Sequence, residues 1–316
     1  MDSFIYSLNA TVPVFLIMII GNVLNRIGLI DRHFSNTADK FVFKVCLPCM
    51  LFLNLAETNI RENFDVSYFG YCFVVSLVSI IAIWFLAKHL LKDKTMVGAF
   101  VQGSYRSSAA ILGIAFIQNI YGTAEMAPLM IIGSVPLYNI FAVTVLTLES
   151  NAAESHNTRD NIKAALIGIL KNPIIIGIFL GLVASYIQLP LPHMLNKAIQ
   201  NLGTMSSPLA LISIGASFEG RKAIAKLKPT AAASFLKLVG LCAIFLPLAV
   251  WLGFRDQKLI AIIIMLASPC TPTAYIMAKN MGGDWTLASS IIVATTFFSS
   301  VTLTGWIFIV RLLEFV

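Results

Sequence analysis

Two short polar stretches within otherwise apolar sequence hold the residues best suited to binding a solute. Residues 102–108 contain a lone arginine beside two serines, and residues 268–275 place two prolines three positions apart among hydroxyl side chains. A guanidinium matches a carboxylate with two parallel hydrogen bonds, and hydroxyl groups add donors. Each proline removes an amide donor and disfavours helix at the residue before it. The pattern predicts an anion site at a helix break, with these candidates in the two stretches: Gln102, Arg106, Ser107, Ser108, Ser268, Thr271, Pro272, Thr273 and Tyr275. Asn139, in the predicted span 125–148, could line the same cavity and is a further candidate.

These residues also have a purely structural interpretation. Proline is common in membrane helices, and polar side chains such as those of Gln102, Ser134 and Asn139 serve as contacts between helices. A guanidinium inside a membrane span costs about 2.5–3.5 kcal/mol, which a bound anion would help to offset. Arg106 could instead snorkel to the surface or form a fixed pair, and snorkelling is the favoured interpretation for Lys44 and Lys237.

The elements that must position these residues are membrane-spanning helices. Of the 316 residues, 58% are hydrophobic and 12% charged, against roughly 25% charged in soluble proteins, which argues against a soluble enzyme. Each crossing takes about 20 apolar residues, so the apolar runs predict an all-α membrane protein with ten spans. The predicted spans are 9–29, 36–57, 66–91, 95–121, 125–148, 164–188, 194–218, 228–253, 257–281 and 285–312.

The basic residues are concentrated in the loops after spans 1, 3, 5, 7 and 9. Because cytoplasmic loops are enriched in Lys and Arg, this side is predicted to be cytoplasmic, with both termini outside a plasma membrane. The basic residues form no single stripe of the kind that binds nucleic acid, and the scattered histidines form no metal-binding cluster. We therefore expect no nucleic acid partner, no metal and no cofactor.

Landmark residues recur at a fixed separation along the chain. Pro13 and Pro173, Gly21 and Gly181, Pro48 and Pro208, and Gly122 and Gly282 are each 160 positions apart. The repeat divides the chain into residues 1–155 and 156–316, with five spans in each. Because five is odd, the second copy crosses the membrane in the opposite sense, which is typical of secondary transporters with substrate sites at broken helices near the bilayer midplane.

Several motifs resemble those of the auxin efflux carrier family, which includes bacterial malate and malonate carriers and the plant PIN exporters. Residues 106–115 read R-S-S-A-A-I-L-G-I-A and resemble the family's R-G-N-x-G-x-x-G-x-P, while residues 135–139, V-P-L-Y-N, resemble V-P-x-Y-N. Residues 172–173, N-P, and 208–215, P-L-A-L-I-S-I-G, resemble the N-P start of the sixth helix and P-L-A-L-x-x-I-G. Residues 269–278 are similar to P-x-A-x-N-x-Y-V-x-A. The resemblance covers essentially the whole chain.

The resemblance implies a scaffold of spans 1, 2, 6 and 7 and a transport unit of spans 3–5 and 8–10. The transport unit would carry the crossed broken helices 4 and 9 and move like an elevator, delivering a small organic anion such as malate, malonate or an auxin-like acid. The sequence departs from the family at Ser108 and Thr273, where asparagines are usual, and at Ala115, where a proline is usual. The family's properties also permit a homodimer.

Whether transport is coupled to a sodium or proton gradient is inferred from the positions of the acidic residues. None of them falls in the middle of a predicted span. A buried carboxylate is the usual proton relay and a favourable cation ligand, so sodium coupling is disfavoured. Export of an anion is already favoured by the membrane potential. A sodium-coupled carrier of the bile-acid type, proton coupling through the substrate, and a ligand sensor without transport remain alternatives. An intramembrane enzyme is disfavoured because no catalytic pair is recognisable.

Overall fold

The computed structural model describes residues 2–56, 65–109, 117–118, 120–121, 126–151, 166–218 and 220–316. The side chains of residues 2–11, 150 and 151 are outside that description. Within these ranges every regular element is helical and no strand occurs, which confirms the all-α class for this part of the chain.

The described residues of the first half of the chain include six named helices. They are α1 (Asp2–Arg26), α2 (Arg32–Phe41), α3 (Leu47–Ala56), α4 (Val66–Leu90), α5 (Val97–Tyr105) and α6 (Ala127–Asn151). A π-helical turn, Val42–Cys46, joins α2 to α3, and a 3-10 turn, Lys94–Met96, precedes α5. The second span begins at Arg32, earlier than the predicted residue 36, because the Asp31 side chain caps the helix by accepting from the Phe34 amide.

In the second half, the described residues include the helical segment 166–170 and nine further helices. They are α7 (Pro173–Ile187), α8 (His193–Thr204), α9 (Ser206–Ser217), α10 (Gly220–Ala225), α11 (Leu227–Phe235), α12 (Leu241–Trp251), α13 (Asp256–Ala267), α14 (Thr273–Asn280) and α15 (Trp285–Leu312). A second π-helical turn, Leu236–Gly240, joins α11 to α12.

Among the described residues, four helical stretches are long and apolar enough to cross a membrane by themselves: Val66–Leu90, Ala127–Glu149, Leu227–Trp251 and Trp285–Leu312. Val12–Arg26 and Pro173–Ile187 are shorter apolar helices. Large apolar side chains on these helices are exposed, including Phe85, Phe179 and Phe308, as expected for surfaces that face lipid rather than water. Each predicted span contains helix, but several are interrupted, and the ten-span inverted repeat stays a prediction.

The helices pack in two groups. In the first group α1 lies against α9, α3 against α7 and α8, and α2 against α9. In the second group α4, α5 and α6 pack together, α11 and α14 pack on α15, and α12 packs on α13. Contacts of α11 with α5 join the two halves of the second group.

Glycines allow the closest approaches within the first group. A Cβ atom on Gly21 of α1 would collide with the carbonyl oxygen of Ile212 in α9. A Cβ atom on Gly181 of α7 would collide with the carbonyl oxygen of Phe52 in α3. Small residues at such crossings let the helix backbones touch, which is how membrane helices gain dispersion contacts without a hydrophobic driving force.

Candidate functional site

The second polar stretch interrupts a helix, as its two prolines predict. Helix α13 ends at Ala267, the backbone of Ser268 is extended, and α14 starts at Thr273. The gap contains Pro269 and Pro272, which cannot donate amide hydrogen bonds. The Cys270 amide instead donates to the Thr295 hydroxyl on α15 at 3.1 Å. The break is therefore held open by a neighbouring helix as well as by the prolines.

The first polar stretch also interrupts a helix, although it contains no proline. Helix α5 ends at Tyr105, and the Arg106 backbone is extended, with φ −68° and ψ 126°. Its departure from helix brings Ser108 to the other break, where the Ser108 amide donates to the Pro269 carbonyl at 3.0 Å. The two breaks are thus in direct backbone contact. Ala115, which replaces the expected proline, lies outside the described residues.

The Arg106 guanidinium lies at this contact and does not snorkel, since the residue is only 4% exposed. Its Nε donates to the Thr271 hydroxyl at 2.8 Å, and Nη2 donates to the Asn139 amide oxygen at 2.6 Å. Nη1 lies 3.3 Å from the Met277 sulfur. In the part of the chain that the structure describes, no carboxylate pairs with Arg106. Its partners are neutral, so its charge is solvated by dipoles alone.

A small cavity of about 50 Å³ adjoins the guanidinium. Six of the predicted site residues line it: Arg106, Ser107, Ser108, Asn139, Thr271 and Thr273. Its opposite wall comes from the first helix group and includes Met50 and Asn54 of α3 and Ser207 of α9. Ligand sites usually measure about 300–1,000 Å³, so the walls are close together in this conformation.

The other four candidates lie elsewhere. Gln102 and Ser268 are fully buried, and neither side chain has a hydrogen-bond partner among the described residues. Pro272 is half-buried and does not line the cavity. The Tyr275 hydroxyl accepts from Lys279 at 3.0 Å, away from Arg106. The structure therefore does not bring these four side chains into the cavity.

The wall residues Asn54, Tyr138 and Ser207 were not among the site residues predicted from the sequence. A signal was available, because Ser207 directly precedes Pro208 and Asn54 follows Pro48 by under two helical turns, and the two prolines are equivalent in the repeat. Tyr138 lies beside Asn139 in the V-P-L-Y-N motif. None of the three residues carries a charge, so residue type alone does not mark them as binding residues.

Lys237 does not snorkel as expected, because its π-helical turn directs the side chain inward. The residue is 0% exposed, and its ammonium donates to the carbonyl oxygens of Met265 and Leu266 at 3.2 and 2.8 Å. Lys44, by contrast, is exposed. A second buried cation therefore lies at the end of α13, next to the break.

A larger cavity of about 540 Å³ lies between the two helix groups, on the side predicted to be cytoplasmic. Its lining includes four basic side chains: Arg26, Arg32, Lys222 and Lys279. Lys279 also forms an ion pair of 2.6 Å with Asp39, a carboxylate that is only 2% exposed. The pair joins α2 of the first group to α14 of the second. Asp39 lies near the end of its predicted span, so its burial could not be read from its position.

Comparisons with known proteins give a consistent result over almost the full chain. A family model described as "Membrane transport protein" matches residues 6–307. A protein of Rhizobium meliloti (strain 1021) named "Putative malonate transporter" is 24% identical over 309 residues. The alignment covers 95% of this chain and 94% of the relative.

Proposed function

The chain belongs to the membrane transport protein family, also called the auxin efflux carrier family, and from that premise we propose that it carries small organic anions. The proposed substrates are mono- and dicarboxylates such as malonate, malate or an auxin-like acid. The observation that carries the proposal is Arg106, a buried cation whose partners in the described structure are neutral and which lies where two helix breaks meet.

The contacts of Arg106 suggest how a carboxylate would bind. Burying a charge is costly unless it is paired, and neutral oxygens compensate less well than an anion does. A carboxylate entering the cavity would take the places of the Asn139 and Thr271 oxygens on the guanidinium. The Thr271 hydroxyl so released could then donate to the same ligand, while the Asn139 amide nitrogen keeps its hydrogen bond to the Val135 carbonyl. The exchange replaces two neutral acceptors on the guanidinium by a charged one, so it selects for negative charge.

The packing of the helices supports two inverted five-span repeats. Gly21 contacts Ile212, and Gly181 contacts Phe52. Gly181 lies 160 positions after Gly21, and Ile212 lies 160 positions after Phe52, so the two contacts are equivalent in the repeat. A two-fold axis in the membrane plane exchanges these crossings. The first helix group then corresponds to the scaffold of spans 1, 2, 6 and 7, and the second to the transport unit.

We propose an elevator-type movement of that transport unit along the scaffold. The small cavity has Arg106 and Thr271 on the transport side and Asn54 and Ser207 on the scaffold side, so sliding would carry the guanidinium past a fixed wall. The large basic cavity supports loading from the cytoplasm, because clefts of one charge concentrate ions of the other. Export of the anion would follow the inside-negative potential, and both termini would lie outside a plasma membrane.

The test is exchange of labelled carboxylates in proteoliposomes, with malonate, malate, short-chain acids and indole-3-acetate, each with and without a sodium gradient. We expect saturable, sodium-independent exchange of one class of acid by the native chain. Arg106→Gln should abolish it, while Lys44→Gln, which removes an exposed cation from another span, should not. Saturable binding without exchange would support a sensor instead. An absolute requirement for sodium would support a symporter of the bile-acid type.

A further inference from the structure

Lys237 occupies a position that the proposed binding site does not explain. The side chain is completely buried between α11–α12 and α13, and the part of the chain described contains no carboxylate paired with it. Its ammonium is bound by the carbonyls of Met265 and Leu266, in the last turn of α13. Those carbonyls are among the last of a helix, which have no amide partner within the helix.

The ammonium is held by backbone oxygens rather than by a charged partner. The Met265 carbonyl that accepts from it also lies 3.5 Å from the Tyr138 hydroxyl. The C-terminal end of a helix carries roughly half a negative charge. Backbone oxygens at the ends of half-helices are the groups that coordinate Na⁺ in carriers with broken helices. The end of α13 thus has the features of a cation site, filled by a side chain.

We infer that Lys237 is a built-in cation that takes the place of a coupling sodium ion at the end of α13. The inference rests on the proposed carrier function and concerns how that carrier is coupled. A tethered ammonium neutralises the helix end in place of a bound ion, so the break beside it keeps its shape whether or not sodium is present. Sodium then contributes nothing to anion binding, and it moves with the substrate in no part of the cycle.

Two substitutions separate this role from simple packing. Lys237→Ala removes the ammonium and leaves space beside the two carbonyls, where a sodium ion and water can enter. Lys237→Met removes the charge but keeps most of the volume, so that no ion fits. Lys228→Ala serves as the control, because Lys228 is an exposed lysine of the same span.

The first readout is the melting temperature in detergent, in NaCl and in choline chloride at equal ionic strength, which needs no substrate. Sodium should raise the Tm of Lys237→Ala by about 2–4 °C, because an ion that binds only the folded state stabilises it. It should leave the native chain, Lys237→Met and Lys228→Ala unchanged. Equal Tm values for Lys237→Ala in both salts would overturn the inference.

The second readout is carboxylate exchange by the same variants. Lys237→Ala should lose exchange in choline and recover part of it in sodium, whereas Lys237→Met should stay inactive in both salts. Loss of exchange in both salts by the folded Lys237→Ala protein would contradict a replaceable cation. A native chain that exchanges no carboxylate would refute the proposed function instead, and the sodium-dependent Tm would still decide the role of Lys237.

Discussion

The two helix breaks are built by different means, although they occupy equivalent places in the two halves of the chain. The break between α13 and α14 is caused by two prolines of the segment itself, Pro269 and Pro272. The break after α5 has no proline, and its extended backbone at Arg106 is accompanied by contacts to other segments. The break between α13 and α14 therefore follows from its own prolines, whereas the break after α5 depends on neighbouring segments.

The difference assigns separate tasks to the two breaks. Thr271 in the proline break accepts from Arg106, and the Pro269 carbonyl accepts from the Ser108 amide. The proline break is therefore a fixed frame, against which the other break places the guanidinium. A substitution at one break should therefore affect the function or stability of the other.

The largest effect is expected from changing the shape of the cation at position 106. Arg106→Lys keeps the charge but loses the planar fork that reaches Thr271 and Asn139 together. We expect transport efficiency to fall about 10–100-fold, the value of one or two charge-assisted hydrogen bonds. Exchange kinetics measure this effect, with the amount of folded protein as control. A change below twofold would mean that only the charge matters.

The neutral partners of Arg106 should matter less than the arginine itself. Thr271→Val keeps the volume of the side chain and removes the oxygen that accepts from Nε. We expect about a 3–10-fold loss of transport efficiency, because a neutral hydrogen bond contributes about 1 kcal/mol. A double-mutant cycle with Asn139→Leu measures the coupling of the two oxygens. Strict additivity would contradict a shared role in holding one guanidinium.

The backbone contact between the breaks is tested by Ser108→Pro, with Ser108→Ala as its matched control. The proline removes the amide that donates to the Pro269 carbonyl, whereas alanine keeps it. We expect the melting temperature of the proline variant to fall by about 2–6 °C, and that of the alanine variant to change little. Equal melting temperatures would show that the break after α5 does not depend on its contact with the break between α13 and α14.

The smallest effect is expected far from both breaks, at the ion pair of Asp65 and Lys258. The Lys258 hydrogen bond holds the pKa of the Asp65 carboxyl below its usual value. The pair therefore stabilises the fold above the unfolded pKa of aspartate, and this contribution is lost as the pH falls through the lowered pKa. Asp65→Asn should lower the Tm by at most about 2 °C at neutral pH and leave transport unchanged. A larger effect on transport would mean that the breaks are not the only sensitive region.

Much of this arrangement could be predicted from the sequence, because prolines and buried charges are costly in membrane helices. Pro269 and Pro272 predicted one break, whereas the equivalent stretch around Arg106, which lacks a proline, left open whether the fourth helix is broken. The scaffold wall could not be predicted in the same way, since Asn54 and Ser207 are ordinary residues of membrane helices. Only tertiary packing brings them within reach of Arg106.

The burial of two charged side chains could not be predicted from residue type, because it depends on the local path of the backbone. Lys237 was expected to snorkel, but the π-helical turn Leu236–Gly240 turns its side chain toward α13. Asp39 was identified only as an acid near a span end, yet helix packing buries it against Lys279. In both cases the direction of one side chain decides the outcome, and direction is set by the fold.

If Arg106 binds the transported anion, its role should be visible as electrical current across the membrane of proteoliposomes. A dicarboxylate gradient should drive a saturable current in the native chain, of equal size with sodium or choline as the cation. Arg106→Gln should abolish the current while the folded protein remains abundant. An undiminished current in Arg106→Gln, or a native current that requires sodium, would contradict this account.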